Sequence, residues 1–231
     1  MRFFSYLIMA AGLLLPLLAP AQQADATAEL NKIRAYYGGS DYKHVTGVMT
    51  LKDPAAGTTL DRVEFEYWMQ GTQVFSRMNY IEILSNRTFY LMSNSRSKTI
   101  HLRRQEAVGA RASGGLLDAG QLGQLLAQNG ARVRLEETGK ERRLLITELK
   151  ASKFSSVTIS YSPVDHHIIG MEALVRAQPG TKGQLVFEMR YLTSERKADG
   201  DASVFSESRY LVSTGGGKYQ FTKAYQGYKK L

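Results

Sequence analysis

Few side chains in this chain are arranged to do covalent chemistry. The histidines are His44, His101, His166 and His167. Adjacent residues on a strand point to opposite faces, so His166 and His167 cannot easily share a metal, and a turn-flanking surface pair is the better account. Glu64 and Glu66 fall on one strand face and have the spacing of a carboxylate dyad, but no nucleophile or histidine lies near them in sequence. They read as a solvated strand face. There is no G-x-S-x-G elbow, no H-E-x-x-H, no phosphate-binding loop and no G-x-G-x-x-G opening a helix. Asn86-Arg87-Thr88 matches a glycosylation sequon, a pattern short enough to arise by chance. With no cysteine in the chain, disulfides, Cys-zinc sites and thiol chemistry are all excluded. No catalytic residue, metal site or cofactor is expected.

What stands out is a set of strand faces rich in aromatic and methionine side chains. Phe65, Tyr67, Met69, Met78, Tyr80, Phe89, Phe187, Met189 and Tyr191 are candidates to line a pocket for an acyl chain. Thioethers and flat rings repack at low cost around irregular apolar ligands. The alternative is that they simply fill a core. One curved sheet with two helices has too little mass to fill itself completely, which leaves room for a cavity. An acyl chain entering it gains about 0.8 kcal/mol per buried CH₂.

The elements that must position these residues follow from periodicity. Arg2, an apolar run from Phe3 to Leu18 and Ala19-Pro20-Ala21 form a cleavable signal peptide over residues 1–21. No cysteine follows for lipidation, so an exported, non-lipidated protein is expected, with one domain over 22–231. A helix is expected over 25–37, from Leu30, Ile33 and Tyr37, stopped by Gly38-Gly39. Val63, Phe65, Tyr67 and Met69 alternate with polar residues, and Gly71-Thr72 is suited to a tight hairpin. That hairpin sets Met69 opposite Val74, Phe65 opposite Met78 and Val63 opposite Tyr80. Ser85-Asn86 makes the next turn, and further strands are expected over 88–92 and 99–102.

The period then lengthens. Leu116, Leu117, Leu122, Leu125 and Leu126 form a helical stripe between a possible cap at Ser113 and Asn129-Gly130. Strands follow over 133–137, 143–148, 157–161, 168–175, 185–192 and 205–212, and Gly215 to Gly217 opens a last hairpin ending near Tyr225. About eleven strands and two helices make an α+β domain, an antiparallel sheet curled into a barrel or half-barrel. The formal net charge is +9. Export makes nucleic acid an improbable partner, and the scattered cations exert a weak pull toward anionic membrane surfaces. Lys218, Lys223, Lys229 and Lys230 form the one local cluster, read as a frayed basic tail.

The stretch Phe75-Ser76-Arg77-Met78-Asn79-Tyr80, with Ile81 to Asn86, Phe89 to Met92 and Lys98-Thr99-Ile100, resembles the LolA-like family of periplasmic outer-membrane lipoprotein carriers. The later order of leucine helix, paired strands, the turn between Ile159 and Ile169, Phe187 to Leu192 and the Phe205 strand is similar too. The resemblance implies an unclosed β-barrel with a helical lid that shelters lipoprotein acyl chains in the periplasm. It implies a lid at Leu116 to Leu126 and places the arginine that ties barrel to lid at Arg77, which otherwise reads as an ordinary surface strand arginine. Gln70-Gly71-Thr72 and Ser85-Asn86 stand where the family commonly has Pro-Gly and Asp-Gly.

A monomeric carrier of lipoprotein acyl chains or phospholipid is therefore expected, with an inner- or outer-membrane protein as a possible partner. The alternatives are a lipid- or lipoprotein-sensing envelope regulator and a packed scaffold that acts through protein contacts.

Overall fold

A computed structural model describes residues 25–105, 131–149, 152–176 and 183–231. The expected signal peptide and the leucine helix with Leu116, Leu117, Leu122, Leu125 and Leu126 lie outside the described residues. Among them is a helix, α1, over 25–38. The strands are β1 (Tyr42–Asp53), β2 (Thr58–Gln70), β3 (Gln73–Met78), β4 (Ile81–Ser85), β5 (Phe89–Asn94) and β6 (Thr99–Arg104). They continue with β7 (Arg132–Thr138), β8 (Glu141–Thr147), β9 (Phe154–Tyr161), β10 (Ile168–Val175) and β11 (Val186–Lys197). Last come β12 (Leu211–Gly215), β13 (Lys218–Phe221) and β14 (Lys229–Lys230).

Twelve strands share one sheet in the order β14-β6-β5-β4-β3-β2-β1-β11-β10-β9-β8-β7, and β12 and β13 form a hairpin of their own. Among the described residues the order ends at β14 and β7, so this sheet is unclosed, as expected of an α+β half-barrel. Every strand pair whose register is given is antiparallel except β14 on β6.

The chain divides into two compact units. The first takes the described residues of Met1–Tyr37, Leu51–Leu60 and Ala119–Met189. Ala26, Leu30, Ile33 and Tyr36 are buried along one side of α1, the three-and-four spacing of an amphipathic helix. Register stacks Leu144, Ile159 and Met171 side by side across β8, β9 and β10, with Ile146, Val157 and Ala173 as the next row. Tyr161 on that face donates its hydroxyl to Glu29 of α1 at 2.9 Å, so this is the face the helix covers.

The second unit takes Gly38–Thr50, the described residues of Asp61–Asp118, and Arg190–Leu231. Gly71 takes a φ of 58°, the positive value a two-residue hairpin loop needs, and the β2–β3 register sets Met69 against Val74 and Phe65 against Met78 as expected. Val63 does not pair with Tyr80. Asn79 adopts a φ of 52° and makes a second tight turn with Tyr80, so β3 stops at Met78 and β4 begins at Ile81. Asparagine tolerates that left-handed conformation, which is why the break falls there.

Two expectations about the C-terminal part are corrected. Residues 205–212 are not one strand: Ala202–Phe205 and Glu207–Arg209 are 3₁₀ turns. Asp201 accepts a hydrogen bond from the Ser203 amide and Ser206 from the Ser208 amide, local bonds that compete with a strand ladder. Nor is the basic tail frayed. The Lys229 amide donates to the Lys98 carbonyl at 2.8 Å and the Leu231 amide to the Ile100 carbonyl at 2.9 Å.

Candidate functional site

Because side chains alternate along a strand, the register of β2 to β6 sorts the second unit's residues onto two faces. One face carries Trp68, Phe75, Leu84, Leu91, Ile100 and Leu102, joined by Phe89. Phe205, Tyr210, Leu211, Tyr219 and Tyr228 from the C-terminal segment pack against it, and Phe75, Leu84, Leu91 and Ile100 are buried there. This face is a filled core.

Asn86 fastens the cover. Its Nδ2 donates to the Phe205 carbonyl at 3.0 Å and to a Glu207 carboxylate oxygen at 2.7 Å. Its Oδ1 accepts from the Thr88 and Phe89 amides at 2.9 and 2.8 Å. Buried and so engaged, the Asn86 amide is committed to the fold rather than to a glycan.

The other face carries Phe65, Tyr67 and Met69 of β2, Val74, Ser76 and Met78 of β3, Ile81 and Ile83 of β4, and Tyr90 and Met92 of β5. It is less completely covered: Tyr67, Met78 and Tyr90 are half-buried and Met92 is exposed. In its middle, Ser76 is buried and its hydroxyl has no hydrogen-bond partner among the described residues. A buried donor left without a partner costs about 1–3 kcal/mol, a cost that a ligand oxygen would remove.

Phe65 turns over β1. A Cβ at Gly47 would sit 2.3 Å from its Cζ and 2.4 Å from the Arg190 carbonyl oxygen, so only glycine fits beneath that ring. The ring also meets Tyr191 edge-on, with centroids 5.7 Å apart. Beside it opens a cleft of about 610 Å³ with Gly47, Val63, Phe65 and Leu192 as its apolar lining. Arg62 and Glu64 make an exposed pair at its rim.

Of the residues singled out from sequence, the structure thus brings Phe65, Tyr67, Met69 and Met78 onto one face, with Tyr191 against Phe65. Tyr80 sits in the Asn79–Tyr80 turn, with Arg96 over its ring at 5.6 Å. Phe89 is on the opposite face, in the core, edge-on to Tyr219 at 5.1 Å. Phe187 and Met189 belong to the first unit, half-buried and buried respectively. Sequence reasoning does not single out Ser76, Ile83, Tyr90 or Met92. Strand parity from the Gly71 hairpin is the signal that finds Ser76, and it continues to the others once the Asn79 turn is known.

Arg77 lies on the core face at its edge. Its Nε donates to Glu82 Oε1 at 3.1 Å, a terminal nitrogen lies 3.6 Å from Glu66, and the guanidinium stands 5.9 Å from the Phe75 ring centre. Glu82 Oε2 accepts the hydroxyls of Tyr210 at 2.8 Å and Tyr225 at 3.2 Å. Burial first, then the Glu82 charge and hydrogen bond, push the Tyr225 phenol up to about 12 and Tyr210 further still. Arg77 and Glu82 therefore join three strands to the C-terminal cover.

In the first unit Glu29 is a buried carboxylate. Lys32, Tyr161 and Arg142 lie at 2.6, 2.9 and 3.4 Å, and His166 at 3.4 Å. Burial works to raise its pKa, but the hydrogen bonds from Lys32 and Tyr161 and the charges of Lys32 and Arg142 outweigh it and hold the carboxyl below its ordinary value. His166 is thus drawn inward against Glu29, while His167 pairs with Asp165 at 2.7 Å. Among the described residues no group of three or more His, Asp or Glu side chains could hold a metal ion. No described helix is long and apolar enough to cross a membrane.

No family model matches the sequence, and no curated protein does. Solved structures similar to this chain include an uncharacterized conserved protein from Thermus thermophilus, at 5% identity and TM-score 0.48, covering 78% of this chain and 92% of that one. Another is a LolA superfamily protein from Nitrosomonas europaea, at 11% identity and TM-score 0.36, covering 79% and 98%. A third is the MucA/MucB complex of Pseudomonas aeruginosa, at 12% identity and TM-score 0.44, covering 86% of this chain and 63% of that one. The solved structures that resemble this chain thus include LolA superfamily proteins.

Proposed function

We propose that the domain over 22–231 binds the acyl chains of a lipoprotein or lipid in the bacterial periplasm and carries them without a chemical step. The observation behind this reading is the less completely covered face of the second unit: a floor of buried Phe65, Met69 and Ile83 with half-buried Tyr67 and Met78, interrupted by one buried, unpartnered hydroxyl at Ser76. An acyl chain laid on the floor gains about 0.8 kcal/mol per buried CH₂. An ester or amide carbonyl at its head would accept the Ser76 hydroxyl. Donor and acceptor proteins at the two membranes complete the proposal, and the signal peptide supplies export.

The test is native mass spectrometry with lipid extraction on the protein purified from the periplasm without detergent. A bound phospholipid or acylated peptide is expected, lost in Met78→Glu, whose carboxylate would be set among apolar side chains. Ser76→Ala, which removes only the hydroxyl, should retain the chain with weaker binding. A protein that is empty and ignores fluorescent fatty acids would sink the proposal in favour of a packed scaffold.

A further inference from the structure

The chain's excess charge is not spread along it. Residues 87–105 and 211–231 hold nine of the 30 Lys and Arg residues and none of the 21 Asp and Glu, so the rest of the chain, with 21 of each sign, is formally neutral. The two segments are far apart in sequence and adjacent in the structure. β14 pairs with the outer edge of β6, which brings Lys229 and Lys230 beside Thr99 and Ile100 and next to Lys98. Arg104 donates to the Gly217 carbonyl at 2.6 Å and lies 5.7 Å from the Tyr219 ring centre, which ties in the β12–β13 hairpin and its Lys218.

All nine basic side chains are exposed. None forms an ion pair with a described residue. Arg103 lies 5.8 Å from the Tyr90 ring centre, so aromatic rings are interleaved with the charges. Val212 and Leu231, 52% and 61% exposed, add aliphatic side chains to the same segments.

We propose that this β6–β14 edge, with the β5–β6 loop and the β12–β13 hairpin, is a docking surface for an anionic phospholipid bilayer. Seven of the nine cations (Arg96, Lys98, Arg103, Arg104, Lys218, Lys229 and Lys230) fall along this edge, its loop and the hairpin instead of converging on a pocket, which suits a charged plane. Tyrosines and exposed aliphatic side chains sit among them, and these have a use at the boundary between headgroups and acyl chains that a purely polar anion does not offer. Each basic side chain near such a surface strengthens binding about five-fold. The proposal does not depend on acyl-chain binding: Phe65, Tyr67, Met69, Ser76, Met78 and Ile83 lie outside these segments, and of the residues named on that face only Tyr90 and Met92 fall within them.

The test is sedimentation of the full chain with vesicles of phosphatidylcholine alone and of phosphatidylcholine mixed equally with phosphatidylglycerol. Binding is expected to the anionic vesicles only, fading as salt is raised. The triple variant Lys98→Glu, Lys229→Glu, Lys230→Glu should bind on the order of a hundred-fold more weakly. Arg34→Glu, Lys140→Glu, Lys153→Glu, with the same change in net charge outside these segments, should bind as the parent does, and so should Met78→Glu. Thermal melts establish that each variant is folded, and protection of Lys98 and Lys229 from acetylation by vesicles locates the contact in the parent chain. No binding to anionic vesicles, equal binding to neutral ones, or an equal loss in the two triple variants would overturn the proposal. Loss of binding in Met78→Glu alone would assign vesicle capture to the acyl floor and overturn it too. Binding to polyglutamate without binding to vesicles would give the surface to an acidic protein instead.

Discussion

Gly47 and Asn86 are ordinary in sequence, and each is confined by contacts that no other side chain reproduces. A methyl group at Gly47 would occupy the space of the Phe65 ring, with a backbone carbonyl on its other side that cannot retreat. Gly47→Ala should therefore push Phe65 off β1, destabilise the protein by about 1–3 kcal/mol in urea melts, and alter fluorescent fatty-acid binding at the same time. A stable variant with unchanged binding would separate Phe65 from the floor. Asn86 is held by four hydrogen bonds that run to two segments more than a hundred residues apart. Asn86→Ala leaves buried groups on both sides unpaired and should lower stability by about 3 kcal/mol in the same melts. Asn86→Asp keeps the acceptor bonds but faces Glu207 with a second carboxylate, so it should not restore the loss.

At the scale of elements, the polar tie through Glu82 predicts how the C-terminal cover responds to base. The ordinary phenol value is 10.0, and burial with Glu82 moves Tyr225 to about 12. A phenol whose neutral form is favoured by the fold contributes its full stability below the ordinary value. That contribution is lost as pH rises through the folded one. Urea midpoints should hold up to about pH 10 and fall between about pH 10 and 12, and Tyr225→Phe should flatten that fall. A fall that is unchanged in Tyr225→Phe would place the alkaline sensitivity elsewhere. The same elements show which parts of the fold a sequence reveals. Gly71, flanked by strict alternation, fixes both turn and parity, so Phe65 and Met78 are paired correctly from pattern alone. Phe89 stands out in sequence for being aromatic, but the loop after Ser85 sets Ser85 against Tyr90, and parity then puts Tyr90 on the floor and Phe89 in the core. The cover over 202–209 has no strand period to read; its signals are the short side chains of Asp201 and Ser206, which bond to the backbone two residues on. The leucine stripe from Leu116 to Leu126 lies outside the described residues.

At the scale of the whole molecule, the balance of charge separates two tasks. The segments that carry the net positive charge contain none of Phe65, Tyr67, Met69, Ser76 and Met78, and of the residues named on that face only Tyr90 and Met92 fall within them. Anionic vesicle binding should accordingly weaken with ionic strength while fatty-acid binding, driven by apolar burial, holds or tightens. A titration of both ligands across one salt series checks this, and parallel loss of the two would mean a single shared surface.

The pairing of β14 with β6 also bears on when the second unit can form. Its core face is laid down by residues 65–102, yet Phe205, Tyr210, Leu211 and Tyr219 that cover it, and the strand that closes its edge, come about a hundred residues later. Until those arrive, Phe75, Leu84, Leu91 and Ile100 lack that cover and β6 presents an open ladder, the condition in which chains associate with one another. Contacts of such sequence separation are slow to close. A chain that crosses a membrane N-terminus first would spend that interval exposed, and this interval is where a folding helper would matter most.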